Sequence, residues 1–291
     1  MHKSWIRTDC QLRTYMTVNK YKVDIVTDVD LSRAAGDTAR VMAFASELSK
    51  NGFNVTLIAP RPVNNQTMID LGYINFESIP IEQKAQSISN TLRRTRALIR
   101  KVREIHEDDT ILLIEMSYLG GYFAIAGFSK FVLDVHGIVF DEVEYDSLPK
   151  YLPKRIYGFY MYNLEKIAAK RARKVIAVSD SMANFIKLKW GIDETKIEVI
   201  PNGYFESQVS TIFDKHLMEE KGLITFVGAL SRWANIEKII YAANYLRNEM
   251  AYFLIIGGGP SDYMKELKEH ANELKLNNIK FMGSVPLNEA Y

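Results

Sequence analysis

Between residues 223 and 282 the chain reads Leu-Ile-Thr-Phe-Val at 223–227, Tyr-Phe-Leu-Ile-Ile at 252–256 and Ile-Lys-Phe-Met at 279–282. Helical stretches near 235–247 and at 261–275 separate these three β-rich runs. Short apolar runs that alternate with helices predict parallel strands joined by crossover helices. This stretch therefore predicts one βαβαβ half of a doubly wound sheet.

The same alternation runs through the preceding part of the chain. A helix is predicted at 37–50, where Gly36 and Asp37 precede the apolar periodicity and Asn51-Gly52 ends it. Six apolar runs, each between helical segments, are predicted strands: 23–27, 55–59, 111–114, 131–135, 175–178 and 197–200.

A mostly polar stretch at 204–221 separates these two series of strands. The sequence therefore predicts an α/β protein with two doubly wound, Rossmann-like domains, 1–206 and 207–291. The second is expected to be incomplete, because a six-stranded domain needs about three more strands.

Composition excludes several classes of protein. With 47% hydrophobic residues among 291 and a net charge of +2, the chain is neither disordered nor strongly basic, which argues against nucleic acid as its main partner. Cys10 has no partner for an intrachain disulfide or a cysteine metal cage. No uncharged apolar run approaches the roughly 18 residues of a membrane span, and no signal peptide is recognised, so a cytosolic protein is expected.

Parallel strands place ligands at their carboxyl ends, so the residues after each strand are the candidates. The Gly36-Asp37 turn opens a helix whose first amides can face an anion; equally, Gly36 sets a turn and Asp37 caps the helix. Asp28 and Asp30 form an Asp-x-Asp pair that can hold a divalent metal, but two solvated loop carboxylates are the favoured interpretation.

His136-Gly137 follows the run at 131–135. A histidine at a strand end can hydrogen-bond a sugar hydroxyl, and Gly137 lets a ligand approach the backbone; the alternative is a structural histidine. The acidic residues Asp141, Glu142, Glu144 and Asp146 are expected to begin a solvated helix. The other histidines lie in terminal or polar surface contexts and receive no role: His2, His106, His216 and His270.

In the second half, glycines follow two neighbouring strands, at Gly228 and at 257–259, where a nucleotide can lie close to the backbone. The chain contains neither a Walker A run nor Gly-x-Gly-x-x-Gly, which argues against a phosphate-loop NTPase and a standard dinucleotide-binding domain.

In their order, these motifs resemble the retaining glycosyltransferases of family 4, which have the two-domain GT-B fold. The resemblance rests on seven stretches: 36–50, 134–137, 175–179 with the helix that contains Glu165, 199–203, 226–228, 257–260 and 281–286.

The resemblance implies transfer of a sugar, with retention, from a UDP- or GDP-linked donor to an acceptor hydroxyl, without a cofactor or dedicated metal. It implies an acceptor side in the first domain, a donor side in the second, and a role in making a surface polysaccharide or glycoconjugate. His136 is the implied catalytic residue, and Asp37, Asp134 and Gly137 lie on the acceptor side. The implied donor-binding residues are Gly36, Gly228, Arg232, Gly258, Gly259, Met282, Gly283, Ser284 and Val285.

Two departures from the family pattern stand out. Ala229 and Ala234 occupy the places where family members carry an Arg and a Lys that neutralise the leaving diphosphate. Arg232 either supplies the missing positive charge from a shifted position or is an exposed loop residue. A further alternative is a different loop arrangement that Trp233 and Asn235 help to shape.

The family's Glu-x7-Glu motif is not found in its strand-to-helix context: Glu107 with Glu115 and Glu198 with Glu206 have the spacing by accident. This favours a fragment of a longer enzyme over a piece of a split enzyme or a degenerate copy.

Segments 91–103 and 150–174 combine basic residues with apolar or aromatic ones. They fit either attachment to an anionic membrane that carries a lipid-linked acceptor, or a solvated face over a packed core. The missing charges keep a second function open, a non-catalytic GT-B-like partner. A GT-B sugar-nucleotide epimerase fits the motifs at 199–203 and Ser179 less well.

Overall fold

The computed structural model describes residues 21–32, 35–63, 74–82, 88–143, 153–203 and 222–285. Within these ranges the chain forms ten strands, which build two parallel sheets. Several features of the sequence lie outside the described residues: the predicted boundary at 206/207, Cys10, Glu144, Asp146, His2, His216 and the last residue of the stretch 281–286.

The larger sheet has the order β3-β2-β1-β4-β5-β6-β7, and every pairing in it is parallel. Its strands are β1 (Lys22–Val26), β2 (Asn54–Arg61), β3 (Asn75–Glu82), β4 (Ile111–Glu115), β5 (Val132–Val135), β6 (Lys174–Ala177) and β7 (Ile197–Val199). All six predicted strands are confirmed. The chain reverses its direction of winding between β1 and β4, and the carboxyl ends of those two strands define the switch point of the sheet.

Helices cover both faces of this sheet. They are α1 (Gly36–Lys50), α2 (Ile88–Ile105), α3 (Ser117–Ile125), α4 (Val139–Glu142), α5 (Lys154–Arg171) and α6 (Asp180–Trp190). The predicted first helix is confirmed, since Asn51 caps α1 and Gly52 follows with a φ of +90°. Helix α1 packs through Val41 and Ala45 on one face, whereas α2, α3, α5 and α6 pack on the other.

The smaller sheet has the order β10-β9-β8. Its elements are β8 (Gly222–Val227), α7 (Glu237–Tyr245), β9 (Ala251–Ile256), α8 (Ser261–Glu273) and β10 (Ile279–Gly283), which confirms the predicted βαβαβ unit. Helices α7 and α8 cover the face that carries Ile255. Val227 and Met282, on the opposite face by register, are 49% and 46% exposed.

Two neighbouring glycines let α3 lie close to its surroundings in the larger sheet. A methyl group on Gly120 would lie 2.5 Å from Leu133 Cδ1 of β5, and one on Gly121 would lie 2.5 Å from Leu164 Cγ of α5 and overlap the Leu164 carbonyl oxygen. The absence of a side chain at these positions therefore sets how closely α3 approaches β5 and α5.

The Asp28 and Asp30 carboxylates are buried, so the expectation of solvated loop carboxylates is wrong. Asp28 accepts hydrogen bonds from Arg94 Nε (2.7 Å) and Nη2 (3.0 Å) and from the Tyr118 hydroxyl (2.8 Å). Asp30 accepts from the Ser32 amide and hydroxyl. Arg94, on α2, is 3% exposed and neutralises Asp28, which explains how a carboxylate tolerates complete burial at this strand end.

We expect Gly121→Ala to destabilise the fold by about 1–3 kcal/mol, because the added methyl group meets backbone as well as side-chain atoms of α5. Gly158→Ala, within α5, is the matched control, since its methyl group would make only an ordinary 3.8 Å contact with the Phe140 carbonyl oxygen. The control should be neutral or slightly stabilising. Urea unfolding of both variants measures this, and equal stabilities would contradict the packing argument.

We expect Asp28→Asn to cost about 3–5 kcal/mol, because it leaves the Arg94 guanidinium charge buried without its counter-charge. The double variant Asp28→Asn, Arg94→Met should recover part of that loss, since neither charge then remains. Chemical denaturation of the single and double variants completes the cycle. Glu269→Gln, which removes one partner of an exposed i,i+4 pair with Lys265, is the control and should change stability by less than about 1 kcal/mol.

Candidate functional site

Three polar side chains meet at the carboxyl ends of β4 and β5. Glu115 is the last residue of β4, Asp134 lies in β5 opposite it, and His136 follows β5. Glu115 and Asp134 are fully buried, and one ligand atom from each of the three residues lies within 4.8 Å of the other two. Sheet register brings them together beside the switch point.

Arg40 of α1 closes this cluster from the opposite side. Its Nε and Nη2 donate to Asp134 Oδ2 and Oδ1 at 2.7 and 2.6 Å, and Nη1 donates to Asn202 Oδ1 at 2.9 Å. The guanidinium therefore forms a two-point ion pair with Asp134 and also binds the residue that follows Pro201. Such bidentate pairs fix both the charge and the orientation of the carboxylate.

The two carboxyl groups differ in protonation. Burial, and then the negative charge of Asp134, raise the pKa of Glu115 well above its ordinary value. Burial also works against ionisation of Asp134, but hydrogen bonds with Arg40, His136 and Glu115 hold its pKa below the usual range. The negative charge of the pair therefore rests preferentially on Asp134, beside a Glu115 that ionises less readily than an ordinary carboxyl group.

This charge state fixes the imidazole of His136. Its Nδ1 lies 3.0 Å from Asp134 Oδ2 and 3.7 Å from Glu115 Oε2. An ionised carboxylate accepts, so Nδ1 carries a proton and donates to Asp134. Nε2 is buried and has no hydrogen-bond partner among the described residues. The site thus holds a buried polar atom whose hydrogen bond the described residues leave unmade.

Glu115, Asp134 and His136 also form the group in the described ranges whose atoms come close enough to hold a cation. Arg40 already engages both oxygens of Asp134. One proton on Glu115 makes the buried set neutral, whereas a divalent cation would leave it positively charged. Electrostatics at a dry site favours the proton.

The Gly36-Asp37 turn lies at the start of α1, one turn before Arg40. Gly36 is exposed, with no atom within 4 Å of where a Cβ would be, and Asp37 Oδ1 accepts from the Thr38 amide at 2.8 Å. Ala35, not Asp37, is the N-cap, so the capping alternative is wrong. Gly137 faces Glu142 of the short helix α4, whose Asp141 and Glu142 are exposed as expected.

In the smaller sheet, the turns after β8, β9 and β10 are joined by backbone hydrogen bonds. Leu230 N donates to Gly258 O at 2.8 Å, and Gly257 N donates to Gly283 O at 2.9 Å. A side chain on Gly257 would overlap the Gly228 carbonyl oxygen, and one on Gly259 the Leu230 carbonyl oxygen. The glycines at the ends of β8, β9 and β10 therefore lie together. Close contact with the neighbouring backbone is by itself a reason for glycine at positions 257 and 259.

Four further predicted residues of this half lie near these turns. Ser284 Oγ approaches Gly258, Met282 is exposed and Val285 is half-buried. Arg232 is exposed; its Nη2 lies 2.8 Å from Glu266 Oε2, and its guanidinium stacks over Tyr263. The charge of Arg232 is thus already paired within its own domain.

Sequence reasoning missed Arg40, Arg94 and Glu115 as parts of the carboxyl edge. The available signal was a charged residue on an otherwise apolar face: Arg94 lies four residues before Leu98 on the buried side of α2, and Glu115 ends a buried strand. The surface context given to His106 is also wrong, because its Nδ1 lies 2.7 Å from the buried Asp24 carboxylate.

The basic segment 91–103 is partly used by the fold itself. Arg94 lies in the interior, Lys101 pairs with Glu77, and Arg103 donates to the Ala126 carbonyl. No helix in the described ranges is long and apolar enough to cross a bilayer.

Comparison with known families agrees with this architecture. Residues 36–205 match the model of Glycosyltransferase Family 4, and residues 208–291 match that of Glycosyl transferases group 1. An uncharacterized glycosyltransferase of Methanocaldococcus jannaschii is 27% identical over 179 residues, which is 59% of this chain and 44% of that protein. The chain thus spans less than half the length of this curated relative.

Solved structures share the fold at low sequence identity. HepE from Anabaena, in complex with UDP and glucose, aligns with a TM-score of 0.63 and 16% identity over 92% of this chain and 70% of its own. WaaG, a glycosyltransferase involved in lipopolysaccharide biosynthesis, gives 0.64 and 12% over 90% and 70%. The catalytic domain of Starch Synthase IV from Arabidopsis thaliana, bound to ADP and acarbose, gives 0.65 and 11% over 92% and 74%.

The two parallel sheets are those of the GT-B fold, and the family match extends over more than half of the sequence. The chain belongs to Glycosyltransferase Family 4.

Proposed function

We propose that this chain acts in a retaining glycosyltransferase. The enzyme transfers a sugar from a UDP- or GDP-linked donor to a hydroxyl of a glycan or lipid-linked acceptor, in the synthesis of a surface polysaccharide or glycoconjugate. One observation carries the proposal: His136 Nε2, at the carboxyl edge of the first sheet, is a buried ring nitrogen without a hydrogen-bond partner among the described residues. A sugar hydroxyl can pair with such a nitrogen, because a hydroxyl both donates and accepts hydrogen bonds.

Known relatives support the donor and the role. HepE and Starch Synthase IV were solved with a nucleotide and a sugar or sugar analogue, and WaaG acts in lipopolysaccharide biosynthesis. In the proposed reaction the acceptor oxygen forms a bond to the anomeric carbon while the bond to the diphosphate breaks. The acceptor proton passes to the departing diphosphate. Attack on the face that the leaving group vacates retains the configuration.

The proposed arrangement divides the substrate between the two halves. Asp134 orients His136 beside the transferred sugar, Asp37 and Gly137 border the acceptor, and the exposed Gly36 turn approaches the donor phosphate. The donor nucleotide borders the turns after β8, β9 and β10. The substrate then lies at the strand-end turns of both sheets, because open parallel sheets bind ligands at the carboxyl ends of their strands.

A second candidate is a non-catalytic partner with the same fold. The observation that favours it is the charge balance of the loop after β8, where Ala229 and Ala234 replace the expected cations and Glu266 pairs with Arg232. A donor diphosphate would then lack a dedicated counter-charge.

Isothermal titration with UDP, GDP and their sugar conjugates distinguishes the candidates. The chain is titrated beside a version extended past Tyr291. Binding of a nucleotide sugar by either form, followed by NMR of the glycosidic product, supports the transferase and reads out the anomeric configuration. Absence of binding by both forms favours the non-catalytic partner, and an inverted product would contradict retention.

We expect His136→Ala to lower kcat/KM for transfer roughly tenfold or more, the loss of about 1.5 kcal/mol from one hydrogen bond to substrate. His270→Ala, on α8 of the second half, is the histidine control and should retain activity. Steady-state assays of both variants decide this. Equal activities would remove His136 from the reaction.

We also propose that α5 rests on an anionic membrane that presents the acceptor. One face of α5 carries three exposed apolar or aromatic side chains: Ile156 (58% exposed), Phe159 (71%) and Tyr160 (44%). The exposed Lys154 and Arg155 directly precede them in the sequence. Apolar side chains flanked by cations are typical of helices that lie at a membrane surface. The part of segment 150–174 before Pro153 lies outside the described residues.

We expect Phe159→Asp to weaken co-sedimentation with phosphatidylglycerol-containing vesicles. The change removes apolar surface from α5 and introduces a negative charge, which the anionic lipid repels. Leu188→Asp, equally polar and at a site 76% exposed on α6, is the control and should bind as the parent does. Binding should also weaken as salt is added. Equal loss in both variants, or binding to pure phosphatidylcholine, would contradict this orientation.

A further inference from the structure

The reacting cluster depends on two strand-end turns that are remote in sequence. Glu115 ends β4 and is followed by Met116 and Ser117, where α3 begins. His136 directly follows β5, and α4 begins three residues later at Val139. If either turn shifts, the distances among Glu115, Asp134 and His136 change. A side chain that bonds to both turns therefore helps to keep these distances fixed.

Glu165 of α5 supplies this constraint. Its side chain is fully buried, and Oε1 accepts from Ser117 Oγ at 2.5 Å and from Val139 N at 2.9 Å, while Oε2 accepts from Phe140 N at 3.2 Å. Helix α4 has no side-chain cap from its own N-cap residue, Ile138. A carboxylate 26 residues away in sequence thus satisfies its first amides.

The turn after β4 is under conformational strain. Met116 has a φ of +84°, a region that residues with a side chain rarely occupy. Such strain persists only where surrounding contacts impose it, and it concentrates at functional sites. The Ser117 bond to Glu165 is one contact that holds this turn, and Met116 N donates to the Asp134 carbonyl at 3.3 Å.

We propose that Glu165 is a positioning residue, whose buried carboxylate ties together the turns that carry Glu115 and His136 and so sets the geometry of the cluster. The proposal rests on the transferase function for its effect on rate. It assigns Glu165 no contact with substrate. The placement of its bonds distinguishes it from an ordinary buried carboxylate, because they reach two separate strand ends.

The surroundings of Glu165 make the constraint sensitive to pH. Burial raises the pKa of Glu165 to about 7. The hydrogen bonds from Ser117, Val139 and Phe140 lower this pKa, and the negative charge of Glu142 raises it. The phenols that pack nearby are Tyr118 and Tyr122 of α3 and Tyr157 of α5. Burial raises the pKa of both α3 phenols above the ordinary value, so they stay neutral in this range.

The sign of the effect follows from the raised pKa. Above pH 7 the ionised carboxylate accepts all three hydrogen bonds. As the pH falls through 7, the carboxyl gains an O–H, which the Ser117 hydroxyl can accept, so that this bond reverses its direction. The bonds to the two turns are therefore charge-assisted above pH 7 and neutral below it. The native fold nevertheless gains stability from this group as it protonates, because its pKa is higher than in the unfolded chain.

Amide NMR of the whole chain tests the constraint without any assay of activity. We expect the Val139 and Phe140 amide resonances to titrate with a midpoint near pH 7 in the parent and in His136→Ala. The titration should disappear in Glu165→Gln, which cannot ionise. Resonances that do not titrate in the parent, or that titrate unchanged in Glu165→Gln, would overturn the proposal.

Kinetics then test the consequence for the reaction. We expect Glu165→Gln to lower kcat roughly 10-fold to 100-fold with little change in donor KM, as expected when a reacting group is misplaced. Glu47→Gln, exposed on α1, is the matched control and should retain kcat. If the titration appears as expected but no transfer is detected in the parent, the transferase function fails while the constraint stands. An unchanged kcat in Glu165→Gln would overturn the positioning role.

Discussion

The cost of burying a carboxylate governs the carboxyl edge of the larger sheet. Asp28, Glu115, Asp134 and Glu165 are each fully buried there, and each is stabilised by a different means. Arg94 pairs with Asp28, Arg40 pairs with Asp134, a raised pKa favours the neutral form of Glu115, and three hydrogen bonds support Glu165. An ionised group without such support would cost more free energy than a typical domain has to spare. The positions of α1, α2 and α5 follow from this requirement.

Local pattern was sufficient to predict the strands, since each parallel strand buried on both faces is a short apolar run. The one strand that it missed, β3, reads Asn-Phe-Glu-Ser-Ile-Pro-Ile-Glu, and Pro80 argues against a strand. The structure explains this exception: β3 is the edge strand of the sheet, where a missing amide donor is tolerated. His136 was also predictable, because the end of a strand is recognisable from sequence alone.

The partners of His136 were not predictable in the same way. Arg40 and Asp134 are 94 residues apart, and only the strand order brings them within hydrogen-bond distance. Glu165 could be assigned to a helix but not to a role, since its bonds reach turns on two other elements. The glycines at 257–259 show the opposite case: the sequence indicated a close approach of backbone, and the structure finds another protein turn in that place.

Arg40 has one more partner, Asn202, which lies two residues before the stretch 204–221 that leads to the second sheet. A single guanidinium therefore connects the chain just after β7 to the Asp134 carboxylate beside His136. If Asn202 moves away, Arg40 Nη1 loses its hydrogen-bond acceptor. A movement of the chain after β7 thus also changes the hydrogen bonding of the group that pairs with Asp134.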